Sequence, residues 1–129
     1  MEAWEAAPLV GVNGVVFGMP RAEVREALKM HFIEFNKNKF SQNTSDDFGV
    51  AHVYYDADDL CEAIEVFPEV NVSIAGRTVF PGAIENALAV VPDLAFDGNG
   101  YVSTSKSVGI IVEGEIMASI LFGIEGYFA

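Results

Sequence analysis

The sequence predicts an α+β fold of tandem duplicated strand–helix–strand–strand units, forming a largely antiparallel sheet with two helices packed on one face. Three observations predict it. Val24, Ala27, Leu28 and His31, and later Ile84, Ala87, Leu88 and Val91, each fall at i, i+3, i+4 and i+7, the spacing of one helical face. Each pattern follows a short strand pair and precedes a polar connection and a hairpin. Val24, Ala27, Leu28 and Gly49 recur as Ile84, Ala87, Leu88 and Gly109 at a constant offset of sixty. The two units are expected at about 9–68 and 69–125 of one domain, 1–129.

Residues 1–8 read as a lead-in, with Trp4 either docked or free. Leu9–Val12 and Val15–Phe17 are short β-type runs around Asn13-Gly14, a dipeptide suited to a tight primed turn. Gly18-Met19-Pro20 stops the strand, and Pro20 suits the start of a helix from Arg21 to about Met30. Arg21, Arg25, Glu26 and Lys29 fill its other positions. Phe32 to Asp47 reads as a long connection pinned by Phe32, Ile33, Phe35 and Phe40, with room for a short strand.

Gly49–Tyr55 and Leu60–Phe67 form a hairpin around Asp56-Ala57-Asp58-Asp59. Its loop length leaves the register open, and a slip of one residue would turn every side chain of a strand over; whether His52 faces Ala63 or Ile64 stays undecided. After Pro68, Val70–Ile74, a turn at Ala75-Gly76 and the run Val79-Phe80 precede a second helix opened by Pro81 and ended by Pro92. Val108–Val112 and Ile116–Phe122, joined by Glu113-Gly114-Glu115, make the second hairpin.

Composition narrows the function classes. Hydrophobic residues make up 51% of 129 residues, yet the net charge is −12. That charge opposes nucleic acid and anionic membranes, and the apolar excess suits a second buried face against a copy of the chain or a partner. A single Cys61 forms no internal disulfide. The acidic opening MEAWEAAPLV lacks the basic, then apolar, plan of a signal peptide, and no window reaches a membrane span. The expected location is cytoplasmic.

Few motifs carry chemistry. Asp97-Gly98-Asn99-Gly100-Tyr101 looks like the middle of a calcium loop, but that alignment puts Lys106 where the bidentate glutamate belongs, so it reads as a turn. Cys61 and His52 lack a third group to orient the imidazole, and the cysteine reads as a small buried hydrophobe. No G-x-S-x-G elbow or G-x-G-x-x-G loop is present. Lys37 and Lys39 beside Phe35 and Phe40 are too little for nucleic acid in so acidic a chain. The expectation is therefore no catalysis, no metal and no cofactor.

Thirteen of the nineteen carboxylates lie in residues 1–69, eight of them between positions 46 and 69. Asp56, Asp58, Asp59, Glu62 and Glu65 are the candidate partner-binding residues, an acidic face able to steer a basic protein; the competing reading is a solvated hairpin tip.

The segment FGMPRAEVREAL (Phe17–Leu28) resembles a bacterial G-M-x-x-x-E-V strand-to-helix signature. It occurs in tandem-repeat folds such as the β-lactamase inhibitory protein and small lipoproteins of outer-membrane assembly. Those proteins usually carry disulfides or a lipobox, which this sequence lacks. The run Lys37–Phe67, with GYVSTSKSVGIIV (Gly100–Val112) and GYF (Gly126–Phe128), is similar to a family of small uncharacterised bacterial tandem-repeat proteins. The resemblance implies no activity; by analogy with small acidic immunity proteins it suggests a non-enzymatic binder of a basic toxin or enzyme. The alternative is a homo-oligomeric structural protein, a homodimer among the options, or a small-molecule binder, working through an apolar sheet face.

Overall fold

The computed structural model describes residues 2–37, 39 and 43–129. Its fold is mixed α+β, dominated by mostly antiparallel strands in two sheets. The first strand, β1 (Glu2–Ala7), occupies the segment expected to be a lead-in. Trp4 and Ala6 alternate with exposed residues and are both buried, so the strand has one apolar face. β1 pairs antiparallel with β2 (Gly11–Val12), which turns at Asn13-Gly14 into β3 (Val15–Val16). On its other side β1 runs parallel to β8 (Val70–Ile74), with Glu2 opposite Val70. β8 turns at Ala75-Gly76 into β9 (Arg77–Phe80), completing a five-stranded sheet β3-β2-β1-β8-β9.

Helix α1 (Arg21–Leu28) follows extended Pro20 and ends at Lys29, whose φ of 52° breaks the helical path. It is shorter than the sequence pattern suggests. Val24 is buried and Leu28 half-buried, whereas Ala27 is exposed and His31 lies beyond the helix. Helix α2 (Ile84–Val90) starts three residues after Pro81, because Ala83 is extended and Gly82 has φ 137°.

The remaining strands are β4 (Ile33–Phe35), β5 (Ser45–Asp47), β6 (Ala51–Tyr55), β7 (Cys61–Val66), β10 (Ala95–Phe96), β11 (Gly100–Ser103), β12 (Val108–Glu113) and β13 (Ile116–Gly123). They form an eight-stranded sheet, β10-β11-β12-β13-β7-β6-β5-β4. Its order is mirrored about the central β7–β13 pair: each half of the chain enters at an edge and works inward. The offset of sixty does not follow this mirror, since Gly49 lies in the turn before β6 and Gly109 lies inside β12.

The single sheet expected from sequence is thus divided into two. One contiguous core joins Trp4, Val12 and Val72 of the five-stranded sheet with Val53, Ile64, Ile110, Ile120 and Phe122 of the eight-stranded one. Val24 of α1 and Ala87 of α2 belong to the same core. Neither sheet alone covers its apolar face, so each serves as the other's lid.

In the β6–β7 hairpin the register places His52 opposite Glu65, not Ala63 or Ile64. A bulge after Tyr54 explains the shift: Tyr54 faces Ala63, but Tyr55 faces Cys61, leaving Glu62 unpaired. The extra residue lets Cys61 rejoin the core alongside Ile64 and Val66.

Candidate functional site

Three clusters gather the polar side chains. In the first, α1 is clamped to the β5–β6 hairpin. Asp46 is fully buried on β5 and receives both helix arginines. Arg25 donates from Nε and Nη2 to its two oxygens at 2.9 and 2.8 Å, and Arg21 donates at 3.2 Å. The Tyr55 hydroxyl donates to Asp46 at 2.8 Å. Arg21 also forks onto Asp59 at 3.0 and 2.7 Å and donates to the Thr44 carbonyl. The guanidinium groups sit over aromatic rings, Arg21 at 4.1 Å from the centre of Tyr55 and Arg25 at 4.0 Å from that of Phe32. Arginine suits this place because its planar fork serves a carboxylate while its face stacks on a ring.

Electrostatics follows the contacts. Hydrogen bonding to Asp46 raises Arg25 above its ordinary value. Burial works against the charge of Arg21, yet the bonds to Asp59 and the field of Asp46 raise it too. Asp59 is lowered, chiefly by the Arg21 bond; Glu34 is lowered by its bonds from Thr44 and Arg25. Burial, then the bond to Asp46, raises Tyr55.

The candidate residues of the acidic face therefore have different fates. Asp59 belongs to the clamp. Asp56 accepts the backbone N–H groups of Asp58 and Leu60 at 2.9 and 3.0 Å, closing the hairpin turn. Glu65 belongs to the second cluster, on the opposite side of the sheet. Asp58 is exposed and Glu62 half-buried, and among the described residues neither carboxylate has a hydrogen-bond or ion-pair partner. The five residues do not converge. Cys61 is buried, with its thiol pushed up to about 12 by burial; it pairs with Tyr55, at the other end of the hairpin from His52.

The second cluster lies on the face of the eight-stranded sheet turned away from the core. Glu65 accepts the Tyr54 hydroxyl and the Ser119 hydroxyl, each at 2.6 Å. The Tyr54 hydroxyl lies 3.4 Å from Nδ1 of His52, whose Nε2 is 3.5 Å from Asp47. Phe35 and Phe67 pack on His52 with ring centres at 4.6 and 4.8 Å. Lys37 donates to the Tyr127 hydroxyl at 3.0 Å and sits 4.4 Å from the centre of the Tyr54 ring. Burial and the bond to Glu65 raise Tyr54, so its hydroxyl stays a donor. These contacts tie β6, β7 and β13 together, and Ser119 is itself buried.

Across the same face the surface turns apolar. Gly100, Gly109 and Gly123 bare the sheet, and the 124–129 segment folds back over it. A methyl on Gly109 would lie 2.6 Å from the Phe128 ring, and one on Gly123 would lie 2.6 Å from that of Tyr127. Beside Phe128 runs a trough of about 230 Å³ floored by Gly100 and Gly109 and walled by Tyr101, Val102, Ile111 and Leu121, with Asp97 at its rim. Past it, at the end of the β12–β13 hairpin, Ile116 is 70% exposed, beside Glu113 and Glu115. Phe96 on edge strand β10 is 66% exposed. Among the described residues the side-chain carboxylates of Asp97, Glu113 and Glu115 have no hydrogen-bond or ion-pair partner.

These surface residues were not among the sequence candidates. The available signal was GYF at 126–128 together with small residues at Gly109 and Gly123, which only the strand register brings together.

The third cluster is at the β11–β12 loop, where Asp93 accepts the hydroxyls of Ser103 and Ser105 at 2.7 and 2.6 Å. Of the calcium-like segment, Asp97, Gly98 and Asn99 make the turn between β10 and β11, and Gly100 and Tyr101 open β11. Among the described residues no group of three or more His, Cys, Asp or Glu side chains is placed to hold a metal ion, and no helix is long and apolar enough to cross a membrane. Comparisons with protein-family models, with curated proteins and with solved structures found no match.

Proposed function

We propose that the protein is a non-enzymatic cytoplasmic binding module that captures a basic protein partner, in the manner of an immunity or inhibitor protein. Its contact surface is the apolar and acidic end of the eight-stranded sheet. The observation that carries this reading is the pairing of exposed Ile111 and Ile116 and the glycine-floored trough with three unpartnered carboxylates, Asp97, Glu113 and Glu115. An apolar anchor in a pocket with a charged surround is how interfaces divide affinity from steering. The rim at Asp58 and Glu62 adds to the negative field, whereas Asp56, Asp59 and Glu65 serve the fold. We read the mirrored strand order as the product of a tandem duplication, in which the first copy kept its acids for folding and the second presents them.

A peptide of alternating lysine and arginine around a central phenylalanine is a suitable probe, followed by fluorescence anisotropy at low and high salt. The proposal expects binding that weakens with salt and about tenfold with Ile116→Asp, which removes an anchor contact. Binding insensitive to both would contradict it.

A second reading has its own support. Ile111 and Ile116 are apolar and exposed on the outer face of the sheet, which suits a homodimer through that face. Light scattering on dilute protein separates the two: a monomer that still binds the basic peptide leaves only the first.

A further inference from the structure

The largest of the described cavities lies away from that surface. It has a volume of about 460 Å³ and opens where three parts of the chain meet: the β1–β2 connection, the end of β8 with the end of α2, and the β11–β12 loop. The volume lies within the roughly 300–1,000 Å³ of small-molecule sites. Ile74, Val90, Val91 and Pro92 make its wall, with Ile74 and Val91 themselves buried. Two opposite charges stand at its mouth, Asp93 and Lys106.

Those charges are differently prepared. Both oxygens of Asp93 are held by the serine hydroxyls, and the Lys106 backbone N–H donates to the Ser103 hydroxyl oxygen at 3.2 Å, so one loop fixes the carboxylate and the start of the lysine side chain. The serine bonds hold Asp93 below its usual range, with Lys106 adding to the effect, so it is ionised at neutral pH. Among the described residues the Lys106 ammonium has no hydrogen-bond or ion-pair partner. The site thus presents a braced anion, a cation without a hydrogen-bonded partner and an apolar wall. A simple carboxylic acid would meet Asp93 and a net charge of −12; a simple amine would meet Lys106. A molecule carrying both charges next to an apolar body satisfies all three.

We infer that this cavity is a binding site for a small zwitterion with an apolar body, of the chemical class of a free apolar α-amino acid. The carboxylate lies against Lys106, the ammonium against Asp93, and the side chain against Val90, Val91 and Ile74. The site is independent of the sheet-end surface and stands or falls separately from it.

Titration of isotope-labelled protein with L-phenylalanine or L-leucine, followed at the methyl resonances of Ile74, Val90 and Val91, tests this. Saturable shifts at those methyls are expected. Phenylalaninamide, which lacks the carboxylate, and N-acetylphenylalanine, which lacks the ammonium, should each bind about tenfold more weakly or worse, the worth of one charge-assisted bond. Lys106→Met leaves the serine–aspartate brace in place. It should weaken the free amino acid about tenfold while leaving the amide unchanged. No saturable shift up to about 10 mM, well into the weak-binding range, or equal affinity for the free acid and both analogues, would overturn the assignment. So would an unchanged affinity in a Lys106→Met variant whose spectrum is otherwise native.

Discussion

The α1 clamp and the β12–β13 end are both acidic, and they use their acid in opposite ways. At the clamp Asp46, Asp59 and Glu34 are held by Arg21 and Arg25, and the charge is consumed in docking a short helix. At the sheet end Asp97, Glu113 and Glu115 stand in solvent with apolar neighbours and, among the described residues, no ion-paired cation. The density of carboxylates along the chain is highest in the first region, yet their availability is highest in the second. Carboxylate density marks where charge has been gathered; only the positions of the arginines say whether it is left over.

The contrast can be broken most severely at its buried centre. Asp46→Ala leaves two guanidinium groups and the Tyr55 hydroxyl facing a vacated site, and should destabilise the fold by about 3–5 kcal/mol, read by urea denaturation. The same truncation at Glu113, in solvent, should leave the urea midpoint within experimental error.

A smaller loss is expected where the sheet is bared. Gly109→Ala places a methyl in the space of the Phe128 ring. The cost should be about 1–3 kcal/mol if the ring is pinned, as for overpacking elsewhere, and less if it swings aside. The aromatic resonances of Phe128 distinguish the two, and in either case the α1 clamp should be undisturbed.

Acid sharpens the comparison further. Asp59 and Glu34 have lowered values in the folded protein, so the unfolded chain takes up protons first as pH falls. Their stabilising contribution is complete above the ordinary carboxylate range near pH 4 and is lost as pH falls through their lower folded values. Denaturation at pH 6 and pH 3 should show this loss, and Arg21→Met should reduce the difference. The smallest effect belongs to Asp58→Asn, a solvent-facing change that should stay within about 0.5 kcal/mol.

Much of this architecture was legible. The helical faces at Val24 and Ala87, the turns at Asn13-Gly14 and Ala75-Gly76 and both long hairpins follow from local pattern, and the structure has each of them. What escaped depended on distant partners. β1 looks like a lead-in because its alternation rests on one tryptophan and one alanine; its strand character comes from β8, some seventy residues away. Asp46 sits in a polar run, Thr44-Ser45-Asp46-Asp47, that reads as loop, and its burial is possible only because Arg21 and Arg25 arrive from the helix. The division into two sheets was hidden for the same reason, since strand pairing across the chain has no local signal. Of the five candidate site residues, Asp56, Asp59 and Glu65 have partners inside the fold, which sequence spacing could not show. The trough was missed because its glycines look like ordinary turn or strand residues until Phe128 and Tyr127 are folded over them.

The most direct test of where the free acid lies is a backbone amide titration of labelled protein with the lysine- and arginine-rich peptide carrying a central phenylalanine. The account predicts shifts at Asp97, Ile111, Glu113 to Ile116 and Leu121, with positions 56–59 unmoved. Shifts concentrated at Asp56, Asp58, Asp59 and Glu62, with the sheet end silent, would contradict it.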